Sequence, residues 1–346
     1  MYGGPVGRHG EIGGQGVRAI LMAAVGGPEV LVPAEVAELE FGRRDVRVEL
    51  RAAGVNPIDT KLRAKGTLAG EPPAILGWDG AGVVSDVGAD VTRFRPGDEV
   101  YFCDGGFGTA PGTYAEAKTL DERLIARKPE RLSFVEAAAA PLVTIAASEA
   151  LHERARVARG QTVLVQGGAG GVGHMSVQLA RAAGARVAAT VTAGPKAELA
   201  AKLGAERRID YRTEDVGQAV RDWTGRHGAD VVHDTVGGHT FSDSFGLVQP
   251  YGDLVSTVES PWTQPATDTF QKHSLRVSFA WMPAPAVFGW FAERERQRAI
   301  LEEAARLFDS GELTVQVGAI FRLERAADAH RAVEAGDVLG KTVLTI

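Results

Sequence analysis

The stretch Val163–Gly173, "VLVQGGAGGVG", decides how this chain is read. An apolar strand runs into glycines in the pattern G-x-G-x-x-G, at Gly168, Gly170 and Gly173, and the helical run "VGHMSVQLARAAG" follows. Glycines at these places allow a tight turn and let the backbone approach a pyrophosphate closely. The amides at the start of the helix, near Gly171 and Val172, then face the phosphate charge. The pattern alone is weak; its place between a strand and a helix is what points to a dinucleotide site.

Outward from the loop, the chain alternates. "RVAATV" (186–191) precedes "PKAELAAKLG" (195–204), and "ADVVHDTV" (229–236) precedes "HTFSDSFGLV" (239–248). Strands and helices in that rhythm predict a parallel sheet with helices on both faces, doubly wound. Residues 17–148 read differently. In "DVRVELRA", Val46, Val48 and Leu50 alternate with Arg47, Glu49 and Arg51, as in a half-buried strand. Turn residues recur at Gly26-Gly27-Pro28, Pro96-Gly97-Asp98 and Pro111-Gly112, so this part is an irregular β domain. A long amphipathic helix and a closing strand, "KTVLTI", end the chain. The expected order is a flexible tail over 1–16, a catalytic domain over 17–149, a nucleotide-binding domain over 150–285, and a segment over 286–346 that rejoins the catalytic domain.

Composition narrows the classes. A net charge of −6 argues against nucleic-acid binding. The single cysteine, Cys103, excludes an intrachain disulfide and a thiolate zinc cluster. The glycine-rich N-terminus has no apolar signal core, and the apolar run 277–292 is interrupted by Pro283 and Pro285. A cytoplasmic protein without membrane contact is expected.

An NAD site carries an acid at the end of its second strand, to hold the ribose 2′-hydroxyl. Here that strand ends in "ATVTAGPK", where Thr190 and Thr192 offer hydroxyls, Lys196 a cation, and no acid appears. NADPH is therefore the expected cofactor.

The run "GQTVLVQGGAGGVGHMSVQLAR" (160–181) resembles the signature of the quinone oxidoreductase, or zeta-crystallin, branch of the medium-chain dehydrogenase/reductase superfamily. "AAGVNPIDTKLR", "LGWDGAGVVSDVGADVTRFRPGDEVY", "GTYAEA" and "GKTVL" match as well, so the resemblance runs from Val17 to Ile346. It implies an α/β fold in which a Rossmann domain is inserted into a GroES-like β domain. In zinc members a Gly-His-Glu motif holds the place of "GWDG"; here Trp78 replaces the ligating His and Asp79 the Glu. Asn56 stands for the upstream cysteine ligand. The resemblance thus implies a metal-free member, lacking the Lewis acid that polarises a carbonyl.

Hydride transfer to an acceptor already electron-poor remains open to such a site: a quinone, or the β-carbon of an α,β-unsaturated carbonyl. The polar candidates for catalysis are Asn56, Asp59 and Lys61, with Asp59 and Lys61 able to pair in an irregular loop. Trp78, Thr144 and Trp281 are candidates for the substrate pocket; Thr144 stands in for a threonine of relatives whose place Ala146 holds. The resemblance also implies that Tyr211 lines the 2′-phosphate pocket beside Lys196, and that Val236 and Gly237 pass the nicotinamide. It implies a homodimer and a small apolar substrate. An enoyl thioester reductase, and a cofactor-binding protein with little catalysis, are the competing readings.

Overall fold

The computed structural model describes residues 16–37, 41–66, 72–105, 110–258 and 260–346. The tail expected over 1–16 lies outside them, Gly16 excepted. Six strands form a parallel sheet in the spatial order Arg207–Asp210, Arg186–Val191, Thr162–Gln166, Ala229–Asp234, Val248–Ser256, Arg276–Phe279. The strand order reverses beside Thr162–Gln166, and the glycine loop leaves that strand into the helix Gly171–Ala182. Ligands of open parallel sheets bind at such a reversal, outside the strands' carboxyl ends. Val163, Leu164 and Val165 are all fully buried, because helices cover both faces of the sheet.

The second sheet is built on the long strand Asp45–Val55. Asp79–Val87 pairs along it, and Ala117–Asp121 and Lys341–Thr345 share its other edge end to end. The closing strand thus completes the β domain from the far end of the chain. Val317–Arg322 joins it in parallel on the outside.

The helix Phe291–Ser310 carries the chain back across the junction. Its buried residues Gln297, Leu301, Ala304 and Phe308 recur every three or four positions, as one face of a helix requires. Burial of Leu301 and Phe308 contributes roughly 1.5–3 kcal/mol each. Tyr101 adds a hydrogen bond to the Leu301 carbonyl at 2.5 Å, which ties this helix to the β domain. Among the described residues no helix is long and apolar enough to cross a membrane.

Candidate active site

The glycine loop is shaped by what side chains would displace. A Cβ on Gly173 would lie 2.1 Å from the Gly167 carbonyl oxygen, and one on Gly168 2.5 Å from the Ala189 Cβ. Both positions exclude any side chain. Gly170 and Gly171 are more open, with nothing closer than 3.3 and 3.5 Å to such a Cβ. In the helix that begins at Gly171, the His174 amide is the one that bonds back to Gly170, at 3.0 Å. The amides of Gly171, Val172 and Gly173 precede it and have no intrahelical acceptor, which is the donor set a pyrophosphate needs.

Thr190 departs from its expected role. Its hydroxyl donates to Gln166 Oε1 at 2.8 Å and accepts from the Gly167 amide at 2.9 Å. It lies buried in the strand and braces the base of the loop instead of contacting a ribose. Thr192 and Tyr211 fit the expected pocket better. Val191 pairs with Asp210, so the two residues leave neighbouring strands side by side. Tyr211 is 52% exposed, and Lys196 lies in the first turn of Pro195–Leu203, 3.4 Å from the Gly336 carbonyl. On the other side of the loop, Asp234 accepts from the Val236 and Gly237 amides at 3.1 and 3.0 Å and holds that segment. Val236 is 52% exposed and borders the loop: a Cβ on Gly167 would come within 2.9 Å of its Cγ2.

Sheet register builds the corner beyond the loop. Gly54 lies opposite Asp79, Val55 opposite Thr342, and Asp79 opposite Cys103. Asn56 follows Val55 directly, so Asn56, Asp79, Cys103 and Lys341 gather at one end of neighbouring strands. Asn56 Nδ2 donates to Asp79 Oδ2 at 2.9 Å, and the Leu142 amide donates to Asp79 Oδ1 at 2.8 Å. The Lys341 ammonium donates to Asn56 Oδ1 and to the Val55 carbonyl, and lies 3.5 Å from Asp79 Oδ2. All three side chains are buried. Burial pushes the Asp79 carboxyl up, while Lys341, Asn56, the Leu142 amide and Cys103 pull it back. Burial, Asp79 and Asp104 push the Cys103 thiol well up, which leaves it a poor nucleophile.

The expected trio of Asn56, Asp59 and Lys61 does not converge. Asn56 caps the helix Pro57–Lys65, and Asp59, three residues on, accepts from the Asn56 amide at 2.8 Å. Asp59 is fully buried against Tyr114, and burial raises its pKa to about 7. Lys61 is on the exposed side of that helix, since positions two apart on a helix point to different faces. Their pairing is thereby ruled out.

Of the pocket candidates, Thr144 is turned away from its expected role. The Thr144 hydroxyl is buried and donates to the Ala140 carbonyl at 2.7 Å, inside its own helix. Trp281 is 42% exposed and sits edge-on to Phe288, which stacks on Trp290 at 5.1 Å. Trp78 is buried and packs on Gly105, where a Cβ would come 2.2 Å from its ring. Gly77 before it has φ +102°, and a Cβ there would strike Thr113 and Tyr114. Gly105 is what leaves room for the indole ring. Among the described residues no group of three or more His, Cys, Asp or Glu could hold a metal ion.

Residues 42–130 match the alcohol dehydrogenase GroES-like domain family, and residues 203–344 the zinc-binding dehydrogenase family. A quinone oxidoreductase of Pseudomonas aeruginosa is 36% identical over 330 residues, which cover 94% of this chain and 99% of that protein. A 2-haloacrylate reductase of a Burkholderia species is 33% identical over 338 residues, covering 94% of this chain and 99% of its own. The structure of Escherichia coli quinone oxidoreductase complexed with NADPH aligns with a TM-score of 0.83 at 30% identity, over 95% of this chain and 100% of that one. The chain belongs to the medium-chain dehydrogenase/reductase superfamily, in its quinone oxidoreductase-like branch. It is an oxidoreductase with a site for a nicotinamide cofactor.

Proposed function

We propose that this chain is an NADPH-dependent, metal-free reductase of quinones or of α,β-unsaturated carbonyls. The observation that carries the reading is the corner itself. Where zinc relatives hold a metal, this chain gathers an amide, a carboxylate and an ammonium already bonded to one another, beside a packed indole. None of the corner's residues is arranged to polarise an unactivated ketone as a metal would.

The glycine loop fits a pyrophosphate by its free first-turn amides and its open face at Gly170 and Gly171. Lys196, Thr192 and Tyr211 would hold the 2′-phosphate, and Val236 and Gly237 would border the nicotinamide, which when bound supplies the hydride. One Asn56 Nδ2 hydrogen goes to Asp79; the other is the donor left for an acceptor oxygen on which negative charge develops. Such a donor acts on the carbonyl of an enone or quinone as hydride arrives. Solvent then supplies a proton to the resulting enolate or quinol anion. The 2-haloacrylate reductase relative supports the conjugated-acceptor arm by its name.

Two chains would pair. The sheet ends in the edge strand Arg276–Phe279, and Trp281, Phe288 and Trp290 are exposed just beyond it. An unpaired edge beside exposed aromatics favours association with a second copy. Light scattering on the purified chain gives the mass directly.

The activity test is anaerobic NADPH oxidation against quinones, simple enones and an enoyl thioester, with NADH in parallel. Deuterium from 4-deuterated NADPH landing on an enone's β-carbon establishes the reductase. Turnover of the thioester alone would move the substrate class. Tight cofactor binding without turnover of any acceptor would overturn the reading.

A further inference from the structure

Lys341 touches two parts of the molecule that the sequence separates widely. Its stem runs past the start of the loop helix: a Cβ on Gly171 would lie 3.6 Å from Lys341 Cδ. Next to it, the Gly340 amide donates to the Ala169 carbonyl of the glycine loop at 3.2 Å. At its other end the ammonium donates to Asn56 Oδ1 and the Val55 carbonyl and lies 3.5 Å from Asp79. One buried side chain therefore spans from the phosphate loop to the amide at the corner.

That bonding decides how Asn56 is oriented. An amide has one acceptor and one donor end, and Lys341 offers only donors. The ammonium therefore fixes Oδ1 toward itself and turns Nδ2 toward Asp79. A neutral residue at 341 would leave the amide's orientation to Asp79 alone, and would leave Asp79 buried without its cation.

We propose that Lys341 is a positioning residue that makes the orientation of Asn56 depend on cofactor occupancy of the glycine loop. The proposal rests on the functional reading above only in assigning Asn56 to the reacting end. A cofactor phosphate that orders Ala169–Gly171 orders the stem packed against them. The stem in turn steadies the ammonium on Asn56.

Hydrogen–deuterium exchange of the whole chain tests this without turnover, using NADPH or NADH, whichever binds more tightly. In the wild type, cofactor at about 100 Kd should slow exchange roughly tenfold or more in 166–173 and also in 53–59. In Lys341→Met it should protect 166–173 alone, and Lys341→Arg should restore both. If Lys341→Met does not fold, Lys341→Met with Asp79→Asn, which removes both charges, carries the same measurement. Protection of both segments without Lys341, or of the loop alone in the wild type, overturns the proposal. With an active acceptor in hand, Lys341→Met should lower kcat by roughly 10–100-fold while changing cofactor Kd little. Asn56→Ala should add nothing further; additive losses would show that Lys341 acts independently of Asn56. Failure to find an acceptor would sink the reductase reading and leave the exchange result standing.

Discussion

Asn56 and Asp79, 23 positions apart, are joined at 2.9 Å between Nδ2 and Oδ2, and the same carboxylate oxygen lies 3.5 Å from Lys341. The three form one buried unit, so removing its anion strands its cation. Asp79→Leu should destabilise the chain by about 3–5 kcal/mol, whereas Asp79→Asn, which keeps an acceptor, should cost clearly less. Urea unfolding followed by tryptophan fluorescence separates the two. Equal losses would mean that the negative charge, which both variants remove, carries the whole contribution of Asp79.

Asp59 makes stability depend on pH. Burial holds its folded pKa at about 7, above its ordinary 3.8. The folded chain therefore binds this proton more tightly than the unfolded chain does, and stability falls as pH rises from about 4 to about 7. Asp59→Asn keeps an acceptor for the Asn56 amide and removes that dependence, a difference on the order of 2–4 kcal/mol at pH 8. Glu149, also raised to about 7 by burial, titrates in the same direction in both proteins, so the comparison isolates Asp59. Parallel stability curves for the two would count against a buried carboxyl with a raised pKa.

Cofactor choice should lie with Lys196 and Tyr211. Lys196→Ala should raise the KM for NADPH roughly tenfold or more and leave that for NADH nearly unchanged, because only NADPH carries the 2′-phosphate. Steady-state kinetics with both cofactors reads this directly. An equal effect on the two would remove Lys196 from the pocket.

Thr190 supports the loop from beneath. Thr190→Val keeps the shape but leaves the Gly167 amide and Gln166 Oε1 without their partner. A loss of about 1–3 kcal/mol in stability is expected. Cofactor affinity measured by nicotinamide fluorescence should fall as well. Unchanged affinity would show that the loop is set by its glycines alone.

The parallel sheet and its glycine loop are legible in the sequence because their signals are local. Gly168 and Gly173 exclude side chains by contacts within a few residues or with the adjacent strand, and glycine spacing encodes that. Thr192 is named from the end of its strand, and Tyr211 from the family resemblance. Thr190 was misread because the strand continues one residue past it and turns its hydroxyl inward. Asp59 carried a readable sign that went unused: an Asn followed three residues later by an acid is a helix start, which assigns the acid to the backbone. Placing Asp59 and Lys61 in a loop hid it. Lys341 could not be found from spacing. Its partners depend on the register of the closing strand against Asp45–Val55, which no local pattern contains.

The closing strand also sets a timetable. Gly171 and Lys341 are 170 residues apart, so at about 5–20 residues per second roughly 10–30 s pass between their emergence from a ribosome. Through that interval the nascent chain carries a phosphate loop that Thr190 can brace but that lacks the Lys341 stem. It also carries an open strand edge at Ala52–Val55, where Lys341–Thr345 will later pair. An open edge of this kind is a template for pairing with another chain until the closing strand covers it.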